Sequence, residues 1–237
     1  MSHEVFNLKQ AAEHVHLDAN ELRHVAQRGE VEATERGGDW FFEHRALDEW
    51  AQRNILASNA RELAAQHRSM ADERRRLDKV GWGVADLFGA ETIDLAVQAK
   101  AKAGILRDMT DLAEKGGKVY DVDGLFKELV AREEAASTAI GEGVALLHPR
   151  FHDPYMFEES FVAYGRSDRP VFFGAPDGEG TRHFFLVCST DHRAHLHILA
   201  RLAVLAHGTN LVERLDEAES AEGVLTAIRE CEAEFKG

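Results

Sequence analysis

The chain has 237 residues, 44% of them hydrophobic and 30% charged, with a formal net charge of −14. That length admits two domains, and the acidic balance excludes broad, nonspecific attraction to nucleic acid, because neutralising phosphate needs lysines and arginines facing the ligand. No run approaches the ~20 apolar residues of a membrane span, the polar start Met1-Ser2-His3-Glu4 is unlike a signal peptide, and Cys188 and Cys231 lack metal or disulfide spacing, so a cytoplasmic, reduced protein is expected. Leu8, Ala11, Ala12 and Val15 fall on one helical face at the start of the chain. A second helix, Ala19 to Arg28, takes Asp18 as N-cap with Glu21 three residues later, a capping-box pattern. Leu22, Val25 and Ala26 form its buried face, and Gly29 stops it. Val31 to Ala33 and Trp40 to Phe42 predict two short strands joined by Arg36-Gly37-Gly38-Asp39, and Leu47 and Trp50 anchor a closing helix.

This order of helix, turn, helix, hairpin and helix, over about Glu4 to Ile55, resembles the winged helix-turn-helix domains of the excisionase and MerR-like class. The resemblance implies that the helix from Ala19 enters the major groove, with Asn20, Arg23, His24 and Arg28 available to DNA and Arg36 on the hairpin near backbone phosphate. Between Met1 and Leu56, however, six basic residues face eleven acidic ones, the wrong sign for a strong nucleic-acid binder. A protein-docking or dimerisation module therefore stands beside the DNA reading. From Leu56 to Lys79 an alanine- and charge-rich run without proline or glycine predicts a helical connector. Leu56, Leu63, Met70 and Leu77 recur every seven residues, a seam for a homodimer or a face for a neighbouring domain, and Arg74-Arg75-Arg76 reads as a solvated face.

Farther on, strands are expected near Val144 to Leu147, Phe161 to Tyr164, Val171 to Phe173 and Phe184 to Cys188. Helices are expected near Asp94 to Glu114, Asp123 to Glu134, His192 to His207 and Ala221 to Phe235. The alternation predicts an α/β domain, a mixed sheet with helices on its faces. Its most informative stretch runs from Ser137 to Arg150: Gly141 and Gly143 permit a tight entry, Val144 to Leu147 read as a buried strand, and His148 emerges where backbone pairing stops. Sites in open α/β sheets gather at such carboxyl ends.

The stretch resembles the active-site segment of the enzyme IIA domains of the mannitol, fructose and nitrogen-regulatory (PtsN-like) class of the bacterial sugar phosphotransferase system, over roughly Val84 to Phe235. The resemblance implies that His148 takes a phosphoryl group from the small phosphocarrier HPr, that His195 is the second histidine opening a later helix, and that Arg132 is the arginine ahead of the site. Ser137 and Thr138 match a hydroxyl-bearing approach to phosphoryl oxygens, or are simple turn chemistry, and Arg150 joins them as phosphate-proximal. The family usually reads proline, histidine, glycine at the site, whereas Leu147 and Pro149 flank His148 here. Pro149 removes a backbone donor beside it.

The expected organisation is thus a winged helix-turn-helix domain at 1–56, a helical linker at 57–83 and a IIA-like domain at 84–237. The function it points to is a regulator whose IIA-like domain is phosphorylated on His148 by phospho-HPr and biases the amino module. Two alternatives stand beside it: a phosphocarrier passing phosphate to a separate IIB acceptor, and a IIA-like binding module that no longer reacts. His192, His195 and His197 lie near one another on a helix, but no clustered cysteine or carboxylate completes a metal site. No metal and no cofactor is expected. His152 and His183 carry no motif, and Glu142 either orients His148 or sits solvated.

Overall fold

The computed structural model of the chain describes residues 5–15, 17–57, 83–150 and 155–236. It divides into two units, Met1–Gly81 and Trp82–Gly237. Of the expected connector only Leu56 and Ala57 are described, and they belong to the helix that precedes it; Leu63, Met70, Leu77 and Arg74 to Arg76 lie outside the described residues, and so does His152.

The amino unit contains β1 (Val5–Asn7), α1 (Leu8–His14), α2 (Ala19–Gln27), β2 (Ala33–Arg36), β3 (Asp39–Glu43) and α3 (His44–Ala57). Local chemistry sets most of its boundaries. Asn7 and Gln10 cap α1 reciprocally, each side-chain oxygen accepting from the other residue's amide at 3.0 and 3.1 Å. Asp18 Oδ1 accepts from the amides of Asn20 and Glu21 at 2.8 and 3.3 Å and starts α2. Gly37 and Gly38 have φ of 63° and 88° between the paired Arg36 and Asp39, the left-handed backbone that a two-residue hairpin needs at both positions. The three strands form an antiparallel sheet in the order β1-β3-β2. Ala11, Leu22, Phe42 and Leu47 fill the core with no exposed surface. β2 begins two residues later than expected, because Val31 enters the core from the turn before the strand. β1 is unanticipated; its three residues are held in register by β3, with Phe6 opposite Phe42.

The carboxyl unit opens with a 3-10 turn at Val84–Leu87, then runs β4 (Phe88–Val97), α4 (Lys102–Lys115), α5 (Val122–Ala135), β5 (Ala139–Gly141), β6 (Val144–Leu147), β7 (Phe161–Val171), β8 (Thr181–Cys188), α6 (His192–Gly208), α7 (Leu211–Glu217) and α8 (Ala221–Lys236). Its five strands lie in the order β4-β7-β8-β6-β5. β4 is parallel to β7 and β6 to β8, while β7–β8 and β5–β6 are antiparallel, so the sheet is mixed, as expected. Ala145, Leu147, Ala163, Phe184, Leu186 and Cys188 join α4 and α5 in one apolar cluster. The opposite face packs on α6, with α8 against β4. Strands covered on both faces read as continuous apolar runs rather than alternations, which is why β6 and β8 are visible in sequence.

Two expectations are corrected here. The helix expected from Asp94 starts only at Lys102; residues 88–97 form β4 instead, paired with β7 through an irregular register. β4 is an edge strand with mixed burial, so its pattern carries no clear period, and Asp94 Oδ1 bonds the amide of Ala96 at 2.9 Å rather than starting a helix. The two strands expected at Phe161 to Tyr164 and Val171 to Phe173 are one strand, β7, ending at Val171. Pro170 sits where the β7–β8 register shifts between Arg166 and Val171, a place that tolerates a residue without a backbone donor. α7 and β5 were not anticipated, being short elements of seven and three residues.

Candidate active site

The β5–β6 hairpin turns through Glu142 and Gly143, with φ of 52° and 75°, between the paired Gly141 and Val144. That tight turn aims β6 along β8, its parallel neighbour, with Leu147 opposite Leu186. Parallel strands end on the same side, so the residue after β6 and the loop after β8 meet at one edge of the sheet. His148 occupies the first position. The second leads through Asp191, whose Oδ1 accepts from the Ala194 amide at 2.8 Å, into the first turn of α6 and His195. Hydroxyls pin the loop: Ser160 Oγ lies 3.2 Å from Ser189 Oγ and accepts from the Thr190 amide at 3.1 Å.

His148, His195 and Arg132, spread over 64 residues of sequence, are brought together here. The imidazoles of His148 and His195 meet edge to face, centroids 5.2 Å apart. Arg132, in the last turn of α5, donates from Nε to His148 Nε2 at 2.9 Å and from Nη1 to the Ala136 carbonyl at 2.9 Å. His148 Nδ1 lies 2.8 Å from the Leu146 carbonyl. A guanidinium has only donors and a carbonyl only lone pairs, so the ring must carry its proton on Nδ1 and hold a lone pair on Nε2. The imidazole is neutral and oriented, its nucleophilic nitrogen facing a fixed cation. All three side chains are buried, His148 completely.

The neighbouring candidates have other partners. Ser137 donates to the Phe173 carbonyl at 2.8 Å, and Thr138 donates to Glu133 Oε2 at 2.6 Å. Both hydroxyls are thus engaged with groups other than His148 and Arg132. Glu133, unremarked in the sequence, is a hub: it also takes the Thr138 amide at 3.0 Å and Lys102 Nζ at 2.7 Å, tying α4 and α5 to the strand that precedes the site. Arg150 is half-buried and its amide reaches Glu128 of α5 at 3.4 Å. Glu142 is exposed and pairs with His207 at 3.5 Å, so it does not orient His148. Cys188 and Cys231 are both free and buried, and burial pushes the Cys188 thiol well up.

In the amino unit Asn20, Arg23, His24, Arg28 and Arg36 are all exposed. Arg28 is held by Glu30, with Nη2 to Oε2 at 3.1 Å, which raises the guanidinium pKa and lowers that of the carboxyl. His24 Nδ1 contacts Gln27 Oε1 at 3.2 Å.

A mixed sheet flanked by helices in this order is the fold of an enzyme IIA domain. The chain superposes on nitrogen regulatory protein IIA-Ntr from Neisseria meningitidis with a TM-score of 0.56 and 26% identity, over 61% of this chain and 98% of that one. It also superposes on IIA mannitol from Escherichia coli, with a TM-score of 0.53 over 60% and 98%, a likeness of fold at 23% identity. Residues 86–231 match the family model for the phosphoenolpyruvate-dependent sugar phosphotransferase system, EIIA 2, and the chain belongs to that family. Among curated relatives, a fructose-specific EIIA component from Haloferax volcanii is 30% identical over 62% of this chain and 95% of its own length. A nitrogen regulatory protein from Bradyrhizobium diazoefficiens is 28% identical over 61% and 94%. The chain is also 28% identical to a fructose-specific EIIABC component from Bacillus subtilis, of which it spans only 23%. Among the described residues no helix is long and apolar enough to cross a membrane.

Proposed function

We propose that His148 accepts a phosphoryl group on Nε2 from the phosphohistidine of an HPr-type carrier, and that the charge so added regulates a partner. The observation that carries this reading is the pair of bonds on the ring, Leu146 carbonyl to Nδ1 and Arg132 to Nε2. In the transfer the Nε2 lone pair attacks phosphorus and the bond to the carrier's imidazole breaks, its nitrogen keeping the electron pair. Arg132 Nε leaves Nε2 and turns with the rest of its fork to the phosphoryl oxygens, neutralising the charge that moves between partners. The Nδ1–H remains bonded to Leu146 and supports the imidazolium character of the product. In this reading His195, against the ring and at the positive end of α6, orients His148 and meets the same oxygens. Onward transfer to a separate IIB domain is the carrier form of the same chemistry, and a non-reacting IIA-like scaffold is the alternative that the next experiment excludes. The test is incubation of the whole chain with the general phosphotransferase enzyme, HPr and labelled phosphoenolpyruvate. Acid-labile label on wild type and none on His148→Ala is expected; no label on wild type, or label retained by the variant, overturns the reading.

For the amino unit we infer a winged helix-turn-helix module that docks on DNA, supported by the capped α2 with Asn20 and Arg23 exposed and by Arg36 at the hairpin. Asn20, Arg23 and Arg36 carry the contact, while Arg28 must first exchange Glu30 for phosphate. The acidic balance of the unit predicts weak, strongly salt-dependent binding. A gel-shift survey at low salt with no retained complex excludes DNA and leaves a protein-docking role.

A further inference from the structure

We propose that His14, His44 and Asp48 form a binding site for a divalent transition-metal ion of the zinc class, which clamps the first helix of the amino unit to the third. His14 is the last residue of α1, His44 the first of α3, and Asp48 lies four residues on along the same face of α3. Their donor atoms all fall within 4.8 Å of one another. His14 Nε2 lies 2.6 Å from Asp48 Oδ1 and His44 Nε2 lies 3.5 Å from Asp48 Oδ2. The two rings therefore present the same nitrogen to the two oxygens of one carboxylate, a convergence that helix packing alone does not require.

The spacing suits an ion. Donors bound at ~2.0–2.1 Å around a tetrahedral metal sit roughly 3.3 Å apart, so His14 and Asp48 need only separate by about 0.7 Å. Two imidazoles and a carboxylate select Zn(II), Co(II) or Fe(II) over magnesium and calcium, which take oxygen donors. On binding, each Nε2 turns its lone pair to the ion, its proton passing to Nδ1 or to water. A fourth corner is left for water or another side chain. Phe6 of β1 walls the site, its ring 5.0 Å from His14 and 5.1 Å from His44, and the two imidazoles are 4.8 Å apart. His14 and Asp48 are buried, so the shell around the ion is largely dry. The expectation of no metal weighed only the histidines of α6; this trio spans a hairpin, and no sequence motif announces it.

The test uses the untagged whole chain stripped with a chelator and titrated with Co(II). Visible absorption bands saturating at one equivalent, and their loss when Zn(II) is added, are expected. The Co(II) affinity of His14→Gln, His44→Gln and Asp48→Asn falls by more than the roughly 10–100-fold that loss of an outer-shell partner costs. Because changes at the two buried positions threaten the fold, the half-buried His44→Gln, checked by far-UV circular dichroism, is the deciding variant. Paramagnetic shifts of the His14 and His44 ring protons in wild type locate the ion without mutation. No stoichiometric binding, undiminished binding in His44→Gln, or shifts centred on other histidines overturns the proposal.

Discussion

Two buried histidines of the carboxyl unit, His148 and His183, hold opposite tautomers, and the contrast shows how neighbours decide what an imidazole does. His148 has its proton on Nδ1, tied to its own strand, and its Nε2 lone pair faces Arg132. His183 on β8 has Nε2 3.4 Å from Asp216 and Nδ1 2.8 Å from the Tyr164 hydroxyl. Asp216 also takes Arg182 Nη1 at 2.8 Å. A carboxylate beside Nε2 favours the ring proton on that nitrogen, and Nδ1 then accepts from the Tyr164 hydroxyl, so no lone pair is offered to a substrate. Burial lowers the His183 pKa to about 4, against the pull of Asp216, and pushes the Tyr164 hydroxyl up, so both stay neutral at pH 7. An arginine donor leaves a lone pair on the imidazole; a carboxylate and a phenol engage both nitrogens and fasten the ring into the core.

The sharpest way to break this contrast is to exchange the residues' fates. His148→Ala is expected to abolish labelling by phospho-HPr, whereas His183→Gln retains it; labelled His148→Ala removes the distinction. Arg132→Lys keeps the charge and loses the fork, and is expected to slow phosphotransfer at saturating carrier by roughly 10²–10³-fold, the cost of one lost transition-state donor. Nitrogen NMR of that variant should show the His148 tautomers mixing, a readout that damage to the fold alone does not give.

The pH response sharpens the other side. The unfolded chain takes up a proton on His183 near pH 6.5, which the folded chain refuses until about pH 4. Stability from this group is complete above pH 6.5 and is lost as pH falls toward 4, on the order of 3 kcal/mol. Urea unfolding at pH 7 and 4.5 should show a smaller acid loss in His183→Gln than in wild type; equal losses refute the assignment. The smallest effect belongs to the turn that feeds β6. Gly143 has φ of 75° with no atom nearer than 3.9 Å to an added Cβ, so Gly143→Ala meets backbone strain and no clash. It should cost roughly 1 kcal/mol in unfolding while His148 is still labelled.

Legibility differed between the units' elements for physical reasons. β6, β8 and α6 were readable because strands buried on both faces are uniformly apolar and because Asp191 is a local cap. The end of β4, from Asp94 on, reads as helix and the rest carries no expectation, because an edge strand with mixed burial has no period to betray it. Of the candidate site, His148, His195 and Arg132 are legible through the family resemblance, and the fold brings the three together. Glu133 was not legible, since a lone glutamate near a helix end usually faces water, and here its carboxylate answers Thr138 and Lys102. The His14–His44–Asp48 trio was equally silent, because α2 and the β2–β3 hairpin separate His14 from the other two.

Periodicity, capping residues, turn glycines and the order of histidines and arginine thus carry the class of fold and the site's membership, since each acts within a few residues or repeats a spacing. Tautomer, burial and the direction of a lone pair come from elsewhere. They depend on which group from a distant element faces each nitrogen, and only packing the sheet and its helices places Arg132 on Nε2 of His148 and Asp216 near Nε2 of His183.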